Sequence, residues 1–437
     1  MRPISVLLTN NSLDQRAGSE TYIRDVALAL LRRGHRPVAF SLVLGTVAAE
    51  LRRATIPVID DLTRLGEAPD VIHGHHHFET LIAALAFPGT PVVNFCHGWV
   101  PWEEMPLHHP AVRRYVAVDE VCVDRLVREE GISPERVELL LNFVDFDRFR
   151  PRPPLPARPA RALVLSNSAT NYGYARAIAA ACRANGMALD VVGAASGNAS
   201  DQPECLLPAY DVVFAKGRTA LEALGVGCAV VLADAAGAGP LATPANYDVL
   251  RARNFGVREL GHAHDAAWYG DQIAQYSAVA AADVAARVRA EAAMEPAIDR
   301  LMAVYAAAMA APPGVGEASR AAAVHCSRIA RPLKQAYDVA IRLQTLGGDL
   351  ALARAEINAQ SQALQAGLPE SSRVDREMRA RERDLAAARE LVRALETQVA
   401  AFQALPTLQL RDALLRAPVV GPVLQVSARL LAGLLRS

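Results

Sequence analysis

Residues 4–44 read ISVLLTNNSLDQRAGSETYIRDVALALLRRGHRPVAFSLVL, and the reading of this stretch decides the fold class. Ile4–Leu8 is a short apolar run, Asn10–Gly18 is loop-like, Ser19–Arg33 is apolar at helical spacing, and Pro37–Leu44 is apolar again. A continuous apolar run bounded by turn residues suits a strand buried on both faces, and a helix between two such runs is a βαβ crossover. The alternation continues outward. Apolar runs at Val71–Ile72, Pro91–Phe95, Tyr115–Val118 and Val137–Leu141 are separated by helix-compatible stretches, so residues 1–150 are expected to form one Rossmann-like domain. A proline-rich linker follows at 151–160. Ala162–Leu165, a helix over Tyr174–Asn185, Leu189–Val192, Val212–Phe214, a helix over Thr219–Val226 and Ala229–Leu232 then repeat the pattern. A second Rossmann-like domain is expected over 161–290, closed by a helix over 291–311 before the breaker Pro312-Pro313-Gly314.

Beyond residue 316 the strands stop, and 317–437 reads as an α-helical, partly coiled-coil extension. Leu343, Leu346, Leu350, Ala353, Ile357 and Leu364 follow three-and-four spacing, as do Val374, Met378, Leu385, Ala388, Val392, Leu395, Val399 and Phe402. Residues 337–404 are thus a helical hairpin or an oligomerisation arm. Residues 408–437 are rich in leucine and valine, with Arg411, Arg416, Arg429 and Arg436 against the single acid Asp412. Pro418, Gly421 and Pro422 divide them into pieces too short to span a bilayer at roughly 20 residues. They suit peripheral contact with an anionic membrane surface, or packing on the coil or a second subunit.

With 437 residues, 52% of them hydrophobic, the chain has ample core for two or three domains. Lys+Arg and Asp+Glu both number 46, which excludes nucleic-acid attraction by bulk charge, so any anion site is local. The six cysteines include no CxxC pair, so neither a zinc knuckle nor a disulfide framework is signalled. The first residues lack the apolar core of a signal peptide and no run of about 18 uncharged apolar residues occurs. The expected location is the cytoplasm, peripherally at the inner face of the plasma membrane if 408–437 binds lipid.

Four places carry chemistry. Gly18-Ser19-Glu20 precedes a helix whose first turn presents free N–H groups to a phosphate; a plain turn with Ser19 as cap is the alternative. His73, His75, His76 and His77 follow a strand, where polar side chains line an acceptor cleft, and no metal site is expected because no carboxylate or cysteine completes a set. His97 follows the next strand and is followed by Gly98, delivering an imidazole to the same edge or bonding local backbone. In Phe214-Ala215-Lys216-Gly217-Arg218-Thr219-Ala220-Leu221-Glu222, two cations, a glycine and a Thr cap meet at a helix start, as a diphosphate requires, with Glu222 in capping-box position. A capped helix with solvated charges is the alternative there.

Taken with Arg33-Gly34-His35, Asp70-Val71-Ile72-His73-Gly74-His75, Phe95-Cys96-His97-Gly98 and Leu141-Asn142-Phe143-Val144-Asp145-Phe146-Asp147-Arg148-Phe149, these segments resemble the retaining GT-B glycosyltransferases of group 1, often bacterial enzymes of surface polysaccharide synthesis. The resemblance covers roughly residues 4–310. It implies an acceptor domain followed by a donor domain, with Gly18 facing the donor phosphates, His97 contacting the transferred sugar, Glu222 on the ribose and the helix near 291–310 crossing back. It further implies a nucleotide-diphosphate sugar as donor substrate, a glycan or lipid-linked acceptor, and no cofactor. Lys216, Gly217, Arg218 and Thr219 are expected at the donor, and His75 and His76 at the acceptor. This chain has Phe214 where the family carries a further glutamate, and only neutral groups over Leu165–Asn171 where it carries an arginine and a lysine. Lys216 and Arg218 are the cations that could stand in. The alternatives are an inactive glycosyltransferase-like scaffold in a glycan assembly complex and, more remotely, an epimerase of related fold.

Overall fold

The computed structural model describes residues 2–98, 102–170 and 172–366. The second heptad-like stretch and the basic segment 408–437 lie outside the described residues. Met1–Ala318 form one compact unit, and a second begins at Ser319.

The first sheet is wholly parallel. Its strands are β1 (Ser5–Thr9), β2 (Arg36–Phe40), β3 (Val58–Ile59), β4 (Val71–Gly74), β5 (Val92–Cys96), β6 (Val112–Ala117) and β7 (Val137–Leu139), in the order β3-β2-β1-β4-β5-β6-β7. Helices α1 (Gly18–Arg32), α2 (Thr46–Arg53), α3 (His77–Ala86) and α4 (Glu120–Asp124) lie among the connections. Every residue of β4 and β5 is buried, which is why those strands read as apolar runs broken only by His73 and Asn94. β3 escaped the sequence because two residues show no period.

The second sheet contains β8 (Arg161–Leu165), β9 (Ala188–Val192), β10 (Val212–Ala215), β11 (Ala229–Asp234) and β12 (Gly237–Leu241), in the order β12-β11-β10-β8-β9. Around it lie α5 (Ala175–Ala184), α6 (Pro203–Leu206), α7 (Gly217–Val226), α8 (Tyr247–Ala252), α9 (Ala266–Ala274) and α10 (Ala278–Glu291). β12 pairs antiparallel with β11. Its sequence, Gly-Ala-Gly-Pro-Leu, gives no strand signal, and glycine and proline are tolerated there because the strand is at the sheet edge.

Of the helix expected over 291–311, α11 forms Met294–Ala310, while Glu291 ends the preceding helix α10. Ala293 instead forms a parallel bridge with Val144: Val144 N donates to Ala292 O at 2.8 Å and Met294 N to Val144 O at 3.0 Å. Backbone groups used between segments cannot continue a helix. α11 then buries Ile298, Leu301, Met302 and Tyr305 among Ile4, Val6, Ile23 and Val93, completing the core of the first domain.

In the second unit, α12 (Ala318–Ala366) runs for 49 residues, about 74 Å at 1.5 Å per residue. It carries the first heptad-like stretch. Among the described residues, no helix is long and apolar enough to cross a membrane.

Candidate functional site

In an open parallel sheet, ligands bind beyond the carboxyl ends of the strands where strand order reverses. In the first sheet this point lies between β1 and β4. The loop after β1 leads to Gly18, first residue of α1, whose opening turn presents N–H groups and the positive end of the helix dipole. Ser19 does not cap the helix: the cap position is Ala17, and Ser19 Oγ donates to Glu20 Oε2 at 3.0 Å. β4 supplies His73 and leads to His75 and His76, the latter at φ +59°. β5 leads to His97.

These histidines are packed together. His73 stacks on Phe95 with ring centroids 3.9 Å apart, and its Nδ1 lies 2.5 Å from the Tyr305 hydroxyl of α11. His73 Nε2 and His97 Nε2 lie 2.8 and 3.0 Å from one atom, His75 Nε2. His76 and His97 share Glu104, whose Oε1 is 3.4 Å from His76 Nε2 and whose Oε2 accepts from His97 N at 2.9 Å. Tyr22 places its ring edge-on to His97 at 4.9 Å. Burial holds His73 and His75 well below the usual histidine range and brings His97 down to about 4, so all three are neutral at pH 7. His76 differs: burial opposes its charge, but the hydrogen bond and charge of Glu104, with Glu79 and Glu20, raise it.

At the second sheet the order reverses between β8 and β10. Lys216 ends the loop after β10, with its ammonium 3.5 Å from Asp234 and its side chain 39% exposed. Gly217 opens α7 at φ +59°, a conformation glycine adopts without Cβ strain, and its N–H donates to Phe255 O at 2.7 Å. Thr219 is the third residue of α7 and Glu222 the sixth, and no side chain caps the helix. The capping box read from the sequence does not form, because the helix starts two residues earlier than expected. Arg218 Nε donates to Glu222 Oε1 at 2.9 Å, and Nη2 donates to Asp25 of α1.

Asp25 also meets Arg24 at 2.7 Å and Arg148 at 3.7 Å. Burial opposes its ionisation, yet Arg218, Arg24 and Arg148 outweigh burial and hold its carboxyl below the usual range. Glu222 is raised by burial, an effect Arg218 only partly offsets. Arg218 stays protonated against burial because Asp25 and Glu222 flank it. Its Nη1 is buried and has no hydrogen-bond partner among the described residues.

A cleft of about 350 Å³ lies between the two sheet edges. Gly18, Thr21 and Arg24 line one side, Arg218, Thr219 and Glu222 the other, and Arg148, Ser166, Asn167 and Gly193 also contribute. Gly193 admits no side chain, since a Cβ would collide with the carbonyl oxygen of Ser166. Of the residues expected at the donor, Gly18, Arg218, Thr219 and Glu222 line this cleft, whereas Lys216 and Gly217 do not. His75, His76 and His97 do not line it either; His75 and His97 pack against Tyr22, the residue after Thr21. Sequence reasoning missed Asp25, Arg24, Glu104 and Tyr305. An Arg24-Asp25 pair inside the apolar face of α1 was a usable signal, whereas Glu104 had none, because only folding brings it to the histidines. Among the described residues, no group of three or more histidine, cysteine, aspartate or glutamate side chains is disposed to hold a metal ion.

Residues 16–148 match the family described as Glycosyltransferase Family 4. No curated protein matches the chain by sequence. Among solved structures, a glycosyltransferase from Rickettsia africae is similar at 13% identity and TM-score 0.53, covering 71% of this chain and 100% of its own. Anabaena HepE in complex with UDP is similar at 14% identity and TM-score 0.54, covering 69% of this chain and 100% of its own. The complex of that Anabaena protein with UDP-glucose has a TM-score of 0.53 at 14% identity, covering 69% and 99%. Together with the sheet topology, these likenesses show a two-domain, GT-B-like fold with a helical C-terminal region.

Proposed function

We propose that the chain is a glycosyltransferase that moves a sugar from a nucleotide-diphosphate sugar to an acceptor hydroxyl. One observation supports the reading most: the uncapped N-terminus of α1 and Arg218, whose buried Nη1 has no hydrogen-bond partner among the described residues, belong to the lining of a single cleft between two switch points. N–H donors and a fixed guanidinium stabilise the charge that grows on a departing diphosphate, without a metal ion. Lys216, shared with Asp234, adds positive potential from the same sheet edge, and Gly217 and Thr219 belong to the same helix start. Glu222 takes the ribose hydroxyls, His97 orients the transferred sugar with retention of configuration, and His75 and His76 belong to the acceptor side. The family match over 16–148 and the UDP and UDP-glucose complexes of the Anabaena protein support the donor class.

The setting we propose is bacterial surface polysaccharide or glycan synthesis on the cytoplasmic face of the plasma membrane. There, 408–437 touches lipid, 337–404 mediates oligomerisation, and the acceptor is a glycan or lipid-linked. Calorimetry with UDP, GDP and ADP tests the reading. One of them is expected to bind more tightly than its nucleoside, and absence of binding by all three overturns it. A second reading, a catalytically inactive scaffold in a glycan assembly complex, is favoured by Phe214 and by the engagement of Glu222 with Arg218. That reading expects no turnover of any sugar nucleotide.

A further inference from the structure

We infer that Tyr305, His73 and His75 form a positioning chain that locks His97 as the neutral tautomer protonated on Nε2, leaving Nδ1 as a hydrogen-bond acceptor for a substrate hydroxyl. The inference deepens the glycosyltransferase reading and, in the assignment of a substrate to His97, rests on it; the tautomer itself rests on the ring contacts and on the burial that keeps the rings neutral. The argument starts at α11. The Tyr305 hydroxyl is fully buried and lies 2.5 Å from His73 Nδ1. A phenol is a stronger acid than a neutral imidazole N–H, so the hydroxyl donates and His73 Nδ1 is bare. Neutral His73 then carries its proton on Nε2, which faces His75 Nε2 at 2.8 Å. Two N–H groups cannot face each other at that distance, so His75 Nε2 is bare and accepts. His97 Nε2, 3.0 Å from the same bare nitrogen, must carry the proton.

Once the Tyr305 hydroxyl donates, each later step leaves one choice because burial keeps all three rings neutral. The remaining His75 proton sits on Nδ1, which is buried and has no partner among the described residues. The two donors share the single lone pair of His75 Nε2, and the buried Nδ1–H is the cost of this arrangement. The backbone end of His97 is tied independently, through its N–H to Glu104, so ring orientation and proton position are set by different groups. A neutral His97 with a bare Nδ1 accepts from a hydroxyl and cannot serve as a cation beside the sugar.

The test is ¹⁵N–¹H correlation spectroscopy of the full chain labelled at histidine, at pH 7, with resonances assigned by single His→Gln variants. The expected spectrum shows His97 and His73 protonated on Nε2 and His75 on Nδ1. Tyr305→Phe removes the proton that starts the chain, and in this variant His97 is expected to become a mixture of tautomers, with turnover falling at least fivefold while nucleotide Kd is unchanged. His97 protonated on Nδ1 in the unaltered protein, or a spectrum unmoved by Tyr305→Phe, overturns the inference. If Tyr305→Phe does not fold, His75→Phe reads the same coupling at His97. Failure of nucleotide binding would remove the glycosyltransferase reading and leave the spectrum untouched, so the two are separable.

Discussion

Arg218 is the residue at which the two domains and the candidate chemistry meet. It is fixed by Asp25 of α1 and by Glu222 on its own helix, yet one buried nitrogen has no hydrogen-bond partner among the described residues. Arg218→Ala is expected to weaken nucleoside diphosphate binding by about 1.5–3 kcal/mol while leaving nucleoside binding nearly unchanged, as titration calorimetry would show. Lys216→Ala, at an exposed position outside the cleft, is expected to have a smaller effect in the same measurement; an equal loss would place the ammonium on the phosphates. Asp25 gives a pH prediction. Its folded pKa lies below its unfolded value of about 3.9, so its pairing stabilises above that pH and is lost as the pH falls through the folded value. Asp25→Asn is expected to cost about 3–5 kcal/mol at pH 7, because three guanidiniums are left without their shared carboxylate. Urea unfolding should show that cost shrinking once the pH drops below about 4. A cost independent of pH would reduce Asp25 to packing.

At the scale of elements, legibility followed burial and length. α1 and α7 were readable because burial of one face sets an apolar period long enough to count, β5 because its apolar run is long, and β4 because Val71–Ile72 is followed by a cluster of histidines and a glycine. β12 and β3 were not: one is built from glycine and proline at an edge, the other is two residues long. The break between α10 and α11 was hidden because Ala292 and Ala293 are good helix formers, and only pairing with Val144 overrides them. Among the residues expected at the site, Gly18, His97 and Arg218 were legible as positions next to strand or helix ends, and Glu222 by its spacing from Thr219. Glu104 and Tyr305 reach the site through tertiary packing, which leaves no local pattern. α11 makes the point energetically. Leu301 is fully buried in the first domain's core although it follows the second domain in sequence. Leu301→Ala is expected to destabilise the protein by about 2–5 kcal/mol in a urea melt, and a loss below 1 kcal/mol would mean that the helix packs loosely.

For the whole molecule, the unit Met1–Ala318 contains both sheets, the cleft and α11. A chain ending at Ala318 is therefore expected to melt cooperatively and to keep the nucleotide affinity of the full chain. Residues 408–437 are expected to bring the full chain down with anionic vesicles in a salt-dependent way, and truncation after Leu405 should abolish this. Full-length protein left in the supernatant at low salt would assign those residues to subunit contact instead.

The bridge between Val144 and Ala293 bears on how the cleft opens. The chain crosses between the domains twice, and the hydrogen bonds from Val144 N and Met294 N tie those crossings side by side. Crossings laced in this way are expected to resist sliding and separation of the two bodies at that point. Any opening of the cleft is then expected to be mainly a rotation about an axis near the bridge. Such a rotation is expected to part Arg218 from Asp25 and to bring the same pair together again on closure.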